Sequence, residues 1–161
     1  AETPARDAAD VVVYGATPAG IAAAVAAADA GRRVLLVEPS ARIGGMVTHG
    51  LSHTDFRTFE SLTGAYRDFA TRVEAHYRDK YGPDSPQAKA CFRGTFAEPK
   101  ANLAVFEKWL NVRPAGAPVD QVKDEGHPPR IELLRSHTVS KVHVVEERGR
   151  RRILGLDLDG P

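Results

Sequence analysis

The residues of this chain with the strongest chemical pattern lie between Gly15 and Thr48. Gly15-Ala16-Thr17-Pro18-Ala19-Gly20 occupies the register of G-x-G-x-x-G, a turn whose glycines allow a tight bend, close approach of a pyrophosphate, and close packing of a helix on a strand. Thr17 stands where the second glycine is usual, so a hydroxyl is offered where bare backbone would otherwise lie. Glu38 follows Gly20 at roughly the 20-residue spacing of an acid that accepts hydrogen bonds from an adenosine ribose and repels a 2′-phosphate. Arg42, Gly44, Gly45, Met46 and Thr48 come next, with a Gly-Gly pair that lets backbone pass beside a diphosphate without side-chain collision. These residue types at these spacings point to a dinucleotide.

Three elements must position them. Val11-Val12-Val13-Tyr14 reads as a strand buried on both faces. Ala19 to Ala30 is nearly all Ala, Ile and Val and reads as a helix, with Pro18 in its first turn and Gly31 as its stop. Its N-terminal dipole and unpaired N–H groups would face the anionic ligand, and Gly15, Thr17, Pro18, Ala19 and Gly20 are expected to cradle the pyrophosphate. Arg33 to Val37 is a second buried strand and delivers Glu38.

The string YGATPAG, the ribose acid and RIGGMVT resemble the FAD-dependent oxidoreductases of the glutathione-reductase-like flavoprotein superfamily, in which R-x-G-G-R-x-x-S/T follows the acid. Arg42, Gly44, Gly45 and Thr48 match that pattern, and Met46 replaces its second arginine. The likeness is strongest to a bacterial FAD dependent oxidoreductase family whose members often carry the label xanthan lyase. It is close over positions 10 to 56 and looser through Phe96 to Leu110 and the C-terminal strands. The resemblance implies an α/β, Rossmann-like FAD-binding domain with FAD as cofactor. It also implies an oxidoreductase that removes a hydride equivalent from a small, hydroxylated or sugar-like substrate. In that family the chain after the Gly-Gly pair runs towards the flavin ring, so His49 and His53 become the candidates for active-site contact or covalent flavin attachment. The family's fold continues past a hairpin into a further strand and a substrate domain. This chain is therefore expected to be its N-terminal part, completed by the remainder of the same protein or by a second chain. The alternatives are an NAD-dependent dehydrogenase, and a non-catalytic nucleotide-binding or assembly subunit.

Composition bounds the other classes. Twenty-two basic and 21 acidic residues give a net charge of +1, which offers no electrostatic case for nucleic acid or an anionic membrane. No apolar run approaches the ~20 residues of a membrane span. Arg148, Arg150, Arg151 and Arg152 surround Gly149 and read as a solvated hairpin turn. His49, His53 and Asp55 have the residue types of a metal site, but Gly50 argues against a shared helical face, and no metal is expected. Cys91 is the one cysteine, so no intrachain disulfide is expected and an idle thiol is the simplest reading. Residues 1–9 read as a polar leader, compatible with the bacterial cytoplasm or, after signal removal, with the periplasm or secretion.

The rest of the chain reads as an excursion over about residues 50–129 followed by β-structure. Leu62, Tyr66, Phe69, Val73 and Tyr77 mark an amphipathic helix from about Ser61 to Tyr81, followed by a loop to Glu98. Pro99 opens a second helix, ending near Leu110, with Leu103, Phe106, Trp109 and Leu110 as its buried stripe. Asn111 to Pro129 is Pro-rich and reads as surface loop. Arg130 to Leu134 suggests a third parallel strand, and Val139–Val145 with Ile153–Leu158 a β-hairpin, in which His137 and His143 are structural or exposed.

Overall fold

A computed structural model of the chain describes residues 9–110 and 131–161. Most of the expected leader and the Asn111–Pro129 loop lie outside these described residues. Three strands, β1 (Val11–Tyr14), β2 (Val34–Glu38) and β3 (Ile131–Arg135), form a parallel sheet in the order β1-β2-β3. Val11 pairs with Val34 and Val34 with Ile131, so β2 is central, and the third strand is parallel as its sequence suggests.

Helix α1 (Pro18–Asp29) covers one face of the sheet. It starts on Thr17, whose side chain accepts the Gly20 N–H, and runs through Ala-rich sequence that lets it lie close to the strands. Gly31 adopts φ +81°, and the Arg32 and Gly31 N–H groups close back on the carbonyls of Ala27 and Ala28. This pair of bonds stops the helix and turns the chain into β2. β2 is buried, whereas β1 alternates. Val12 and Tyr14 are 41% and 52% exposed, because among the described residues no layer covers the side of β1 away from α1. The expectation that β1 is buried on both faces is corrected accordingly.

The described part of the excursion is mainly helical. A short α2 (Met46–His49) is followed by a single 3-10 turn at Phe59–Ser61 and by α3 (Gly64–Tyr81). Helix α3 starts three residues later than its hydrophobic period suggests, because Thr63 is extended and Gly64 has φ +56°. The expected loop to Glu98 contains another helix, α4 (Pro86–Ala90), with Ser85 accepting the Ala88 N–H and proline in its first turn. Helix α5 (Pro99–Trp109) completes the layer. The expected stripe of α3 is core: Phe69, Val73 and Tyr77 are buried, and the Phe69 and Phe106 rings stack at 4.3 Å between centroids. On α5 the buried set is Ala101, Asn102, Val105 and Phe106, with Leu110 buried at its end, while Leu103 and Trp109 of the expected stripe are only half-buried.

Strands β4 (Thr138–Glu147) and β5 (Arg150–Asp159) form a separate antiparallel ribbon, each longer than its apolar run suggests. Arg148 and Gly149, at φ +52° and +71°, make the two-residue turn that matches the twist of a hairpin. The arginine cluster lies exposed there, with Arg150 and Arg151 opposite Glu147 and Glu146.

Candidate functional site

The turn between β1 and α1 explains its own glycines. Gly15 has φ +100°, which side-chain-bearing residues rarely adopt. A Cβ on Gly20 would sit 1.9 Å from the Gly15 carbonyl oxygen, so only glycine lets the first helical turn close onto the strand end. Thr17, Pro18 and Ala19 are exposed at the start of a helix long enough to carry a dipole. The sequence assigned five residues to a backbone cradle, and the structure narrows their roles. Pro18 has no N–H, and the Gly20 N–H is already given to Thr17 Oγ1 at 3.2 Å. The Thr17 and Ala19 N–H groups and the Thr17 hydroxyl are the donors at this exposed helix start.

Glu38 lies at the C-terminal end of β2, beside this turn. Its Oε2 accepts the Ala16 N–H at 2.7 Å, a contact that fastens the acid to the phosphate turn. Its Oε1 accepts the Ser40 N–H at 2.9 Å and the Ser40 hydroxyl at 2.7 Å. Carboxylate and helix start are thereby held on one corner of the sheet, with the acid's remaining acceptor capacity open to a ribose.

The Gly-Gly pair forms the facing wall. Gly44 donates to the Ala16 carbonyl at 2.7 Å, and a Cβ on Gly45 would reach within 3.3 Å of Pro18 Cδ. Gly44 could carry no side chain, since a Cβ there would press on Thr48 and Phe106. Thr48 itself is fully buried, and its hydroxyl donates to the Ile43 carbonyl at 2.6 Å. It therefore shapes the corner from inside and does not line an open phosphate path, as its place in the motif suggested. Arg42 is exposed and sends one guanidinium nitrogen to the Thr48 carbonyl at 3.0 Å, capping the end of α2. Met46 stands 74% exposed on the first turn of α2.

The two histidines part company. His49 Nδ1 lies 2.7 Å from the Gly45 carbonyl oxygen, which can only accept, so Nδ1 carries the proton and Nε2 is the free nitrogen of the neutral ring. His53 packs edge-on against Phe96 and lines a cleft of about 310 Å³ with Tyr77, Gln87, Cys91 and Glu98, none of them part of the dinucleotide turn. Burial pushes the Cys91 thiol above its ordinary range and its sulfur donates to the Ala88 carbonyl, as expected of an idle thiol. Among the described residues no group of three His, Cys, Asp or Glu side chains is placed to hold a metal ion, and no helix is long and apolar enough to cross a membrane.

Two residues that hold this corner carried no signal in the sequence reading. Asn102 of α5 is buried and donates its side-chain amide to the Val47 carbonyl at 2.9 Å, tying α5 to α2. Ser40 is the other, and only its place two residues after an expected ribose acid could have drawn attention to it.

The donors and the acceptor of this corner suit FAD, and comparison with known proteins decides the family. A model of the FAD dependent oxidoreductases matches residues 10–159. The chain belongs to that family. Its cofactor is FAD, which sets aside the NAD-dependent dehydrogenase reading. Digeranylgeranylglycerophospholipid reductase 2 of Methanopyrus kandleri is 37% identical over 120 residues, spanning 69% of this chain and 27% of that protein. The soluble pyridine nucleotide transhydrogenase of a Marinomonas species is 55% identical over 40 residues, 25% of this chain and 9% of that one. In the crystal structure of Thermovibrio ammonificans THI4 the same fold recurs with a TM-score of 0.51 at 16% identity, over 94% of this chain and 48% of that chain. The chain thus spans about a quarter of the first curated relative. None of these relatives supports the xanthan lyase label.

Proposed function

We propose that this chain supplies the FAD-binding part of an oxidoreductase that removes a hydride equivalent from a small, hydroxylated or sugar-like substrate. The observation that carries the reading is the 2.7 Å bond from the Ala16 N–H to Glu38, which puts a ribose acceptor and a helix N-terminus on one rigid corner. Bound FAD supplies the hydride acceptor. The chain's own residues bind and orient it. The Thr17 and Ala19 N–H groups and the Thr17 hydroxyl meet the pyrophosphate, Glu38 accepts from the adenosine ribose, and Gly44 and Gly45 let the backbone pass close by. Met46 and one arm of Arg42 border the same path.

His49 is favoured over His53 as the group nearest the reacting end. Its free Nε2 can accept a proton or serve as an attachment point, while its Nδ1–H holds the ring to the Gly45 carbonyl. His53 is engaged with Phe96 away from the dinucleotide turn. We further infer that the rest of the same protein, or a second chain, covers the face of β1 away from α1, where Val12 and Tyr14 are exposed. A non-catalytic assembly role would leave that face equally in need of cover but would not require a corner fitted to FAD.

The test is the visible spectrum of the purified protein before and after acid precipitation, with its intact mass. A flavin band that leaves with the supernatant supports non-covalent FAD. Flavin retained by the precipitate with a matching mass increase, and lost in His49→Ala, establishes attachment at His49. A folded protein that includes its remainder or partner chain, is supplied with FAD and then freed of unbound flavin, and shows no flavin band overturns the proposal.

A further inference from the structure

We propose that Ser40 is the positioning residue of the ribose site, a hydroxyl that holds Glu38 in register and can exchange its acceptor when the ribose binds. The inference rests on the FAD reading above and concerns the same corner. An ionised carboxylate offers about four acceptor sites. Three of them are engaged on Glu38: Oε2 by the Ala16 N–H, Oε1 by the Ser40 N–H and by the Ser40 hydroxyl. A ribose presents a 2′,3′-diol, two donors for the one site that remains.

The missing acceptor is available without breaking the corner. Ser40 Oγ lies 2.7 Å from Glu38 Oε1 and also 2.7 Å from the Arg42 carbonyl oxygen, and it has one proton for two groups that can only accept. Turning that O–H towards Arg42 keeps the hydroxyl bonded and leaves an Oγ lone pair beside Oε1, so that a ribose hydroxyl can be shared between the two oxygens. The backbone on which it turns is fixed by the two residues that follow β3. Ser136 donates to the Ser40 carbonyl and His137 to the Glu38 carbonyl, each at 3.1 Å, so the swing needs one hydroxyl torsion and no loop movement. Ser40 also connects the acid to the segment that carries Gly44 and Gly45, because its second acceptor is the backbone of Arg42.

The prediction is a coupling between Ser40 and Glu38. In Ser40→Ala, Oε1 keeps only one N–H, the Glu38 side chain regains rotamer freedom, and FAD must freeze it again on binding. The expected loss is about fivefold in FAD affinity. Flavin fluorescence titration of the purified apoprotein measures it, in the parent, Ser40→Ala, Ser40→Thr, Glu38→Ala and the double variant. Ser40→Thr should bind within about twofold of the parent, because the hydroxyl is kept. In the Glu38→Ala background Ser40→Ala should cost no further FAD affinity. Parent-like affinity in Ser40→Ala, or a loss that adds in full to that of Glu38→Ala, overturns Ser40's role and leaves the functional reading intact. A parent protein that takes up no FAD overturns both.

Discussion

The β1-α1-β2 unit and the β4–β5 ribbon both rest on paired strands, yet they use them in opposite ways. In the first, β2 is buried between neighbours and beneath α1, and the positions that close the corner are constrained by something across from them. Gly20 meets the Gly15 carbonyl, Gly44 meets Thr48 and Phe106, and Glu38 meets the Ala16 N–H. In the ribbon, Val142, Val144, Ile153 and Leu154 are 45% to 64% exposed, and its order comes from cross-strand pairing and the Arg148-Gly149 turn. A parallel sheet fixes the geometry of a site by enclosure, whereas an antiparallel ribbon can stand as a surface awaiting cover. The ligand corner belongs to the enclosed region.

If enclosure is what separates the two, Gly20→Val should be the most damaging single change. Its side chain has no room against the Gly15 carbonyl, and a loss of about 3 kcal/mol of stability is expected by denaturant unfolding, together with loss of flavin. Glu38→Gln keeps the shape but weakens the acceptor and should reduce FAD affinity about tenfold, roughly 1.4 kcal/mol, in the same fluorescence titration. The ribbon should be far more forgiving: Ile153→Thr, on an exposed position of β5, is expected to move stability by no more than about 0.5 kcal/mol. A large loss there would show that the ribbon is packed against something in solution and would erase the contrast.

A smaller effect comes from the edge of the enclosed unit. Asp10 accepts the Arg33 N–H at 2.8 Å, and this bond, with the Arg33 charge, holds its carboxyl below the usual range. Its contribution is therefore present above its ordinary value of about 3.9 and fades as acid protonates the folded state. Asp10→Asn should show a shallower loss of melting temperature between about pH 5 and pH 3 than the parent. An equal slope in the two proteins would remove Asp10 from the account.

The same contrast explains what could be read in the sequence. The β1-α1-β2 unit was legible because its signals are local and coincide: the apolar run, the glycine turn, the Ala-rich helix, the Gly31 stop and the acid all agree in register. Helix α4 was hidden by its own start, since Gly82-Pro83-Asp84-Ser85-Pro86 reads as a breaker although Ser85-Pro86 is also a sound cap. The exposure of Val12 and Tyr14 could not be read, because burial of a strand depends on layers that its own residues do not specify. Within the site, the sequence does not reveal where Thr48 and Gly20 direct their polar groups. Motif position tells which residue stands near a phosphate, but not whether its polar group is already spent on a neighbour, as the Thr48 hydroxyl and Gly20 N–H are. Asn102 was invisible for the converse reason: a polar residue on a helix gives no sign of being buried against a distant carbonyl.

That Asn102 contact gives the helical excursion a mechanical part in cofactor binding. By gripping Val47, α5 sets how far α2 and the Gly44-Gly45 backbone stand from the start of α1, much as a buttress sets the width of an arch. The Gly-Gly wall of the phosphate corner is thus backed by a helix that lies outside the dinucleotide motif, through Asn102 on Val47 and Phe106 behind Gly44.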